Sequence, residues 1–289
     1  MSFMDTIIDS LRSGSIYALI ALAFTLGFNV CGIMNFVNSE IFVISIYIIS
    51  LLCFLKIPFW LAVIISILIC AVFNVVIERY IYKPLLKRPK INALIVSIGL
   101  AFLIQNIFVL FLSSDPFAVP NVVSGELKIG VFEIEYTVII SILIPISMMT
   151  ILYEILKYTK FGRMIRAVSE NSEATALMGI NVDKIISVVF GICALLIVFG
   201  GLLFCLSFPI ADPYTGTMIA LRSLAGSIIG GLGLISGSIP ACIPGAVFGG
   251  FLIGFIETFV KSYISIQLAD VVIFIFLAVF LLINHKRYK

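Results

Sequence analysis

Apolar runs too long for a soluble core to hide limit what this chain can become. Several segments carry no charge over about 20 residues, the length at which a helix rising about 1.5 Å per residue crosses hydrocarbon. Of 289 residues, 62% are hydrophobic and 11% are charged, against about 25% charged in an ordinary soluble domain. Lipid offers backbone amides no partner, so such runs must become helices. The alternative, a β-barrel, would alternate apolar and polar residues over short strands, and these runs do not alternate. The expected fold is therefore all-α, a polytopic transmembrane bundle of about 8–9 spans, with residues 1–289 forming one domain.

Other chemistries are excluded by what the chain lacks. Cys31, Cys53, Cys70, Cys193, Cys205 and Cys242 lie in or beside apolar spans without a CxxC pair, and read as small hydrophobes. The sole histidine, His285, sits in the basic tail, so neither histidine catalysis nor a clustered metal site is expected within the bundle. Residues 1–12 have neither the basic start nor the cleavage site of a secretory signal, so the first span is expected to be retained.

Hydropathy places nine candidate spans at 13–34, 41–55, 58–77, 91–112, 137–157, 185–206, 217–235, 239–260 and 268–284. The second is short, and the glycine-rich region 217–260 has room for a re-entrant piece. Positive charge orients them. The segments 78–90 and 157–184 and the tail hold thirteen of the eighteen lysines and arginines. The loop 113–136 instead sets Asp115, Glu126, Glu133 and Glu135 against Lys128 alone. The basic segments are expected in the cytoplasm, and nine spans then put the N-terminus outside and the C-terminus inside.

The most informative segment is the coupling loop at about 158–184, which contains FGRMIRAVSENSEATALMGINVDK. It is polar, yet reads as a short helix over 172–178, with Ser172 placed to cap it and Glu173 at the positive end of its dipole. Gly179 suits a left-handed helix terminus. On spacing alone a solvated connecting helix would look the same. However, Glu173-Ala174-Thr175-xxx-Gly179 resembles the EAA-xxx-G signature of ABC importer permeases, departing from it at Thr175.

The surroundings narrow the resemblance to branched-chain amino acid permeases. Gly162-Arg163, Arg166-Ala167, Glu170-Asn171 and the run from Leu177 through Gly179 and Asn181 to Val182 resemble that family. So do the run from Gly14 to Ala21, Asn35-Phe36 with Glu40, Ile77-Glu78-Arg79, Tyr82-Lys83-Pro84-Leu85, Gln105-Asn106 and Asp270-Val271-Val272. One departure is an insertion at 234–243, between two glycine-rich stretches.

That resemblance implies an ATP-driven importer subunit in the cytoplasmic membrane of a prokaryote. Its partners would be two ABC ATPase subunits, a second, paralogous permease and an extracytoplasmic solute-binding protein. ATP and Mg would sit on the ATPases, with no cofactor bound by this chain, no enzymatic activity of its own and no nucleic acid. Consistent with this, the chain has no GxxxxGK[ST] phosphate loop. The resemblance assigns coupling to Arg166, Glu170, Asn171, Glu173, Ala174, Gly179 and Asn181.

Within the spans, Gly226, Gly230, Gly245, Gly249, Gly250 and Gly254 recur at helical spacing. Such residues let backbones approach closely, in static packing or at a moving gate. Polar groups at depth are pathway candidates, and interhelical hydrogen bonding is the plainer alternative for each. They are Asn35, Asn38 and Glu40 at the break between the first two spans, Gln105 and Asn106 in the fourth, and Glu257 in the eighth, with Arg222 in the seventh. Glu78 and Arg79 read as a helix-end charge pair. A permease for a sugar, nucleoside or amide remains the nearest alternative. An ion-coupled carrier should show inverted repeats, which are not evident, and an intramembrane enzyme would need a paired nucleophile and base.

Overall fold

A computed structural model describes residues 3–85, 89–112, 115–119, 126–129, 132–232 and 239–284. Lys87 and Arg88, parts of the acidic loop, residues 234–238 of the insertion and the tail from His285 lie outside the described residues. The chain opens with α1 (Phe3–Cys31) and α2 (Val37–Phe54). Next come α3 (Phe59–Ile77), a π-helical turn (Glu78–Tyr82), α4 (Lys83–Leu85) and α5 (Lys90–Leu112). The short strands β1 (Phe117–Ala118), β2 (Glu126–Ile129) and β3 (Phe132–Glu135) precede α6 (Tyr136–Tyr158). Two short helices, α7 (Lys160–Glu170) and α8 (Ser172–Leu177), lead into α9 (Val182–Ser207). The chain closes with β4 (Ile210–Ala211), α10 (Thr215–Gly226), a second π turn (Ser227–Leu232), α11 (Ile239–Tyr263) and α12 (Ala269–Asn284).

Among the described residues, seven helices are long and apolar enough to cross a membrane, by length and composition. The remaining two expected spans are more compact. The described part of segment 217–235 is the twelve-residue α10 running into the π turn, and α12 has 16 residues. The 25-residue α11 is continuous through Pro244, and α6 through Pro145. A bundle in lipid tolerates such prolines because neighbouring groups re-satisfy the freed carbonyls. The strands form two small antiparallel pairs, β1 with β4 and β2 with β3. None of the six cysteines is in a disulfide.

Burial separates a centre from a periphery. In α1 and α9, 78% and 72% of the most apolar window is buried, against 22% in α5 and α6. The outer helices turn Leu110, Phe111 and Leu143 outward, as lipid-facing surfaces do. The centre is drawn together by small residues. α1 crosses α11 antiparallel, with Gly14 against Gly254 and Ala18 against Gly250, backbone on backbone. The α10–π segment lies on the same helix, with Gly226 against Gly249 and Gly250, and Gly230 against the Gly245 carbonyl.

Contacts along the helices define two ends. At the first, Arg12 of α1 pairs with Glu135 at the head of α6. At the second, Lys83 of α4 pairs with Asp183 at the head of α9 (2.7 Å). The apolar hairpins that join these segments in sequence thus become a bundle with an ion pair marking each end.

Candidate functional site

The break between α1 and α2 is built to hold polar groups inside the bundle. Gly32 ends α1 in the left-handed region, φ +67, and its N–H donates to the Phe28 carbonyl (2.7 Å). Asn35 then organises the turn. Its Oδ1 accepts from the Val37 amide (3.0 Å) and from the Tyr82 hydroxyl (2.6 Å), and its Nδ2 donates to Asn38 Oδ1 (3.1 Å). Ser97 of α5 donates to the Met34 carbonyl (3.2 Å). The π turn Glu78–Tyr82 contributes here, since the inserted residue re-aims the side chains that follow. Tyr82 and Glu78 are both buried, and Glu78 accepts from the Ser187 hydroxyl of α9 (2.6 Å). Glu78 is therefore an interior hydrogen-bonding residue and not half of a helix-end charge pair, because it continues the buried face of α3 that Ser66, Cys70 and Asn74 form.

One turn further, Glu40 is only 3% exposed. It accepts from the Ser39 hydroxyl (3.0 Å) and forms no ion pair among the described residues. It lines a chamber of about 50 Å³ between α2, α5 and α10, with Ser39, Thr217 and the apolar Phe36, Ala101 and Leu221. Gln105 of α5 donates to Thr217 Oγ1 across the α5–α10 boundary (3.0 Å). A buried carboxylate costs several kcal/mol unless something compensates it, so its spare oxygen is a ready acceptor for a cationic group.

Nearer the first end, Arg222 of α10 joins four helices. Its Nε donates to Asp270 of α12 (2.8 Å), and its Nη1 to Glu257 of α11 (2.6 Å) and the Tyr17 hydroxyl of α1 (3.2 Å). Tyr17 and Lys261 complete the shell of Glu257. The network borders a cavity of about 210 Å³ whose other walls include Phe204, Phe208 and Met218.

The loop from α6 to α9 holds two helices where the sequence suggests one. α7 is capped by Thr159, whose hydroxyl accepts from the Gly162 amide (2.9 Å). α8 is capped by Asn171, not Ser172, with Asn171 Oδ1 accepting from the Ala174 amide (2.9 Å). Asn171 holds extended backbone, φ −156, leaving Ser172 inside the first turn. Asn181 caps α9 in the same manner, accepting from the Lys184 amide (3.1 Å). Gly179 closes α8 at φ +82. Leu177 and Met178 just before it are 89% and 82% exposed, an apolar pair that a solvated linker would not need.

The structure thus divides the predicted path residues. Asn35 lies in the break and Asn38 and Glu40 in the first turn of α2, with Gln105 alongside through Thr217. Asn106 is exposed and donates to its own helix at Phe102 (2.7 Å). Glu257 belongs to the separate Arg222 network. Tyr17, Tyr82, Ser97 and Thr217 escape sequence reasoning as partners, because a lone hydroxyl in an apolar span has no signature. Asp270 at the head of α12 is visible there as part of the family-like Asp270-Val271-Val272, but without its partner Arg222.

Comparison with known proteins places these features in context. The family described as branched-chain amino acid transport system / permease component matches residues 6–282. The chain is 30% identical over 251 residues to the high-affinity branched-chain amino acid transport system permease protein LivH of Escherichia coli K12, covering 82% of each. The permease protein BraD of Pseudomonas aeruginosa matches to the same extent. The ribose import permease protein RbsC of Haemophilus influenzae is 26% identical over 238 residues, 81% of this chain and 71% of that one. No solved structure matches the chain.

Proposed function

The chain belongs to the family of branched-chain amino acid transport permeases, and on that premise we propose how this multi-pass membrane subunit carries its substrate. It is the permease of an ATP-driven importer for branched-chain amino acids, embedded in the cytoplasmic membrane. The observation that carries this reading is the similarity to branched-chain permeases over 82% of both chains. The basic second end, with Lys83, Lys184 and the α7–α8 loop, faces the cytoplasm by the positive-inside rule. The C-terminus lies on that side. Two ATPase subunits supply the energy, a second permease completes the path, and an extracytoplasmic binding protein delivers the solute.

Two parts of the structure support the mechanism. α8 offers the exposed Leu177 and Met178 to a groove on an ATPase, and Gly179 sets the angle at which the chain returns to α9. The loop residues Arg166, Glu170, Glu173 and Ala174 hold or border that element. Inside, Glu40, Gln105 and Thr217 form the polar side of the path, with Asn35 and Asn38 bracing the helix break beneath them. A chamber of about 50 Å³ has room for an ammonium group but not a whole amino acid. The path must therefore widen as the ATPases drive the two permeases between states.

The direct test is uptake of labelled leucine into vesicles holding the permease pair, the ATPases and the binding protein. Uptake that requires ATP hydrolysis and is competed by isoleucine and valine supports the assignment. Uptake competed by ribose alone would move the substrate toward the sugar branch that the similarity to RbsC represents. Within this assay, Glu40→Gln is expected to raise KM about tenfold or more, through loss of a charge-assisted bond worth about 1.5–3 kcal/mol. Gln105→Ala should act in the same direction. Unchanged KM in both would remove the chamber from the path.

For coupling, Gly179→Val is the sharp variant. A β-branched residue in the left-handed region costs about 1–2 kcal/mol or more and would re-aim α8. Membrane levels should stay normal while leucine uptake and its stimulation of ATP hydrolysis are lost. Wild-type stimulation would sever α8 from coupling.

A further inference from the structure

At the second end, a cleft of about 480 Å³ opens between the α3–π segment and the start of α9. Its lining changes from charged at the mouth to apolar within. Arg79, Lys83 and Lys184 bring three positive charges, against one negative charge from Asp183, which pairs with Lys83. Arg79 and Lys184 are exposed and form no ion pair among the described residues. Glu78, the nearest other acid, is turned into the bundle onto Ser187. The 26-residue α9 also begins here, so the positive end of its dipole adds to the same field.

One turn deeper in the bundle, both walls become apolar. Val75 and Val188 line the cleft, and from Val75 the outer face of α3 continues through Val76, Val72 and Leu68, all exposed. These residues lie at helical spacing on one lipid-facing stripe, which Arg79 and the 74%-exposed Tyr80 terminate. Tyrosines and basic side chains take this position where hydrocarbon meets headgroups. A water-soluble anion would use the charges but leave the stripe idle. An ATPase surface could meet the charges but could not reach the valines, which lie within the span of α3.

We propose that this cleft is a binding site for one anionic phospholipid, its phosphate held by Arg79 and Lys184 and its acyl chain laid along Val75, Val72 and Leu68. Basic pockets between helices on the cytoplasmic side are suited to such headgroups. The site adjoins Asn181, the residue that ends the α8 return and caps α9. A bound headgroup would therefore brace the base from which α8 projects. The proposal rests on the orientation argued above only for the leaflet, since the cleft's chemistry is independent of transport.

The test is native mass spectrometry of the full-length chain in mild detergent, titrated with phosphatidylglycerol or phosphatidylcholine. Wild type should retain one phosphatidylglycerol in preference to phosphatidylcholine. The double variant Arg79→Ala/Lys184→Ala should bind it about thirtyfold more weakly, each cation near a membrane surface being worth roughly fivefold. Equal retention of both lipids by wild type overturns the proposal without any variant. So does displacement of phosphatidylglycerol by millimolar inorganic phosphate, which would make this a free-anion site. Loss of the lipid when the ATPases are bound would equally overturn it, showing that protein covers the cleft. Failure of leucine uptake would bear on the functional assignment and leave this result untouched.

Discussion

Gly230→Val is expected to abolish the folded permease, and Gly230→Ala to cost it about 3 kcal/mol or more. A methyl at Gly230 lands on the carbonyl of Gly245 and reaches the Gly249 amide at 3.0 Å. Overpacking against flexible side chains costs about 1–3 kcal/mol, but here both obstacles are backbone. Relief requires α11 to move away from the π turn. That would also open the crossing of α1, because Gly250 and Gly254 of the same helix rest on Ala18 and Gly14. Gly99 of α5 is the control, since a methyl there meets nothing within 4 Å. Monodispersity after a thermal ramp in detergent should collapse for Gly230→Ala and hold for Gly99→Ala. Equal behaviour of the two would mean that the π turn and α11 are not packed backbone to backbone.

The second large effect is expected at Arg222, where Arg222→Ala should destabilise the bundle by about 3 kcal/mol. Removing one partner of a buried ion pair costs about 3–5 kcal/mol because a charge is left without compensation. The low end applies because Lys261 stays on Glu257. Asp270 suffers less, being 39% exposed on its side chain. Arg222→Lys should recover little, since an ammonium cannot serve Asp270, Glu257 and Tyr17 from the two edges that the guanidinium uses. Removing both charges with Arg222→Met and Glu257→Gln should cost less than the sum of the single variants. Strict additivity in chemical unfolding would show that the two residues are not coupled.

The glycine interface and the Arg222 network sit on the same helices, α10 and α11, for related reasons. Close approach of backbones at Gly226 and Gly249 brings α10 near enough for the Arg222 guanidinium to reach Glu257 of α11. Without glycine at that crossing, the helices would stand further apart and the contact with Glu257 would lengthen. Packing therefore sets the electrostatics here, and a substitution in one should be felt in the other.

Much of the architecture is legible in the order of residues, and the reason is local. Helices in lipid satisfy their own backbone, so long uncharged runs declare themselves without knowledge of their neighbours. The ends of α3, α6, α9 and α11 fall close to where hydropathy places them. The short helix α8 is legible because capping and termination are also local, although Asn171 displaces Ser172 as the cap. That choice turns on one residue's extended backbone, which spacing cannot distinguish.

What the chain by itself determined is its class, its spans, its charge asymmetry and the glycine positions where helices can touch. Those follow from residue type and period alone, since solvent preference and backbone freedom belong to single residues and short segments. Only the tertiary structure decided which polar groups meet. It placed Asn35 with Tyr82, Gln105 with Thr217, and Arg222 with Glu257 and Asp270, while leaving Asn106 outside. Two π turns contributed, at Glu78–Tyr82 and Ser227–Leu232, by rotating the residues that follow through an angle that no periodicity foretells. Partners brought together across as many as 240 residues, as Glu257 and Tyr17 are, are chosen by how helices cross, and crossing depends on every packed side chain at once.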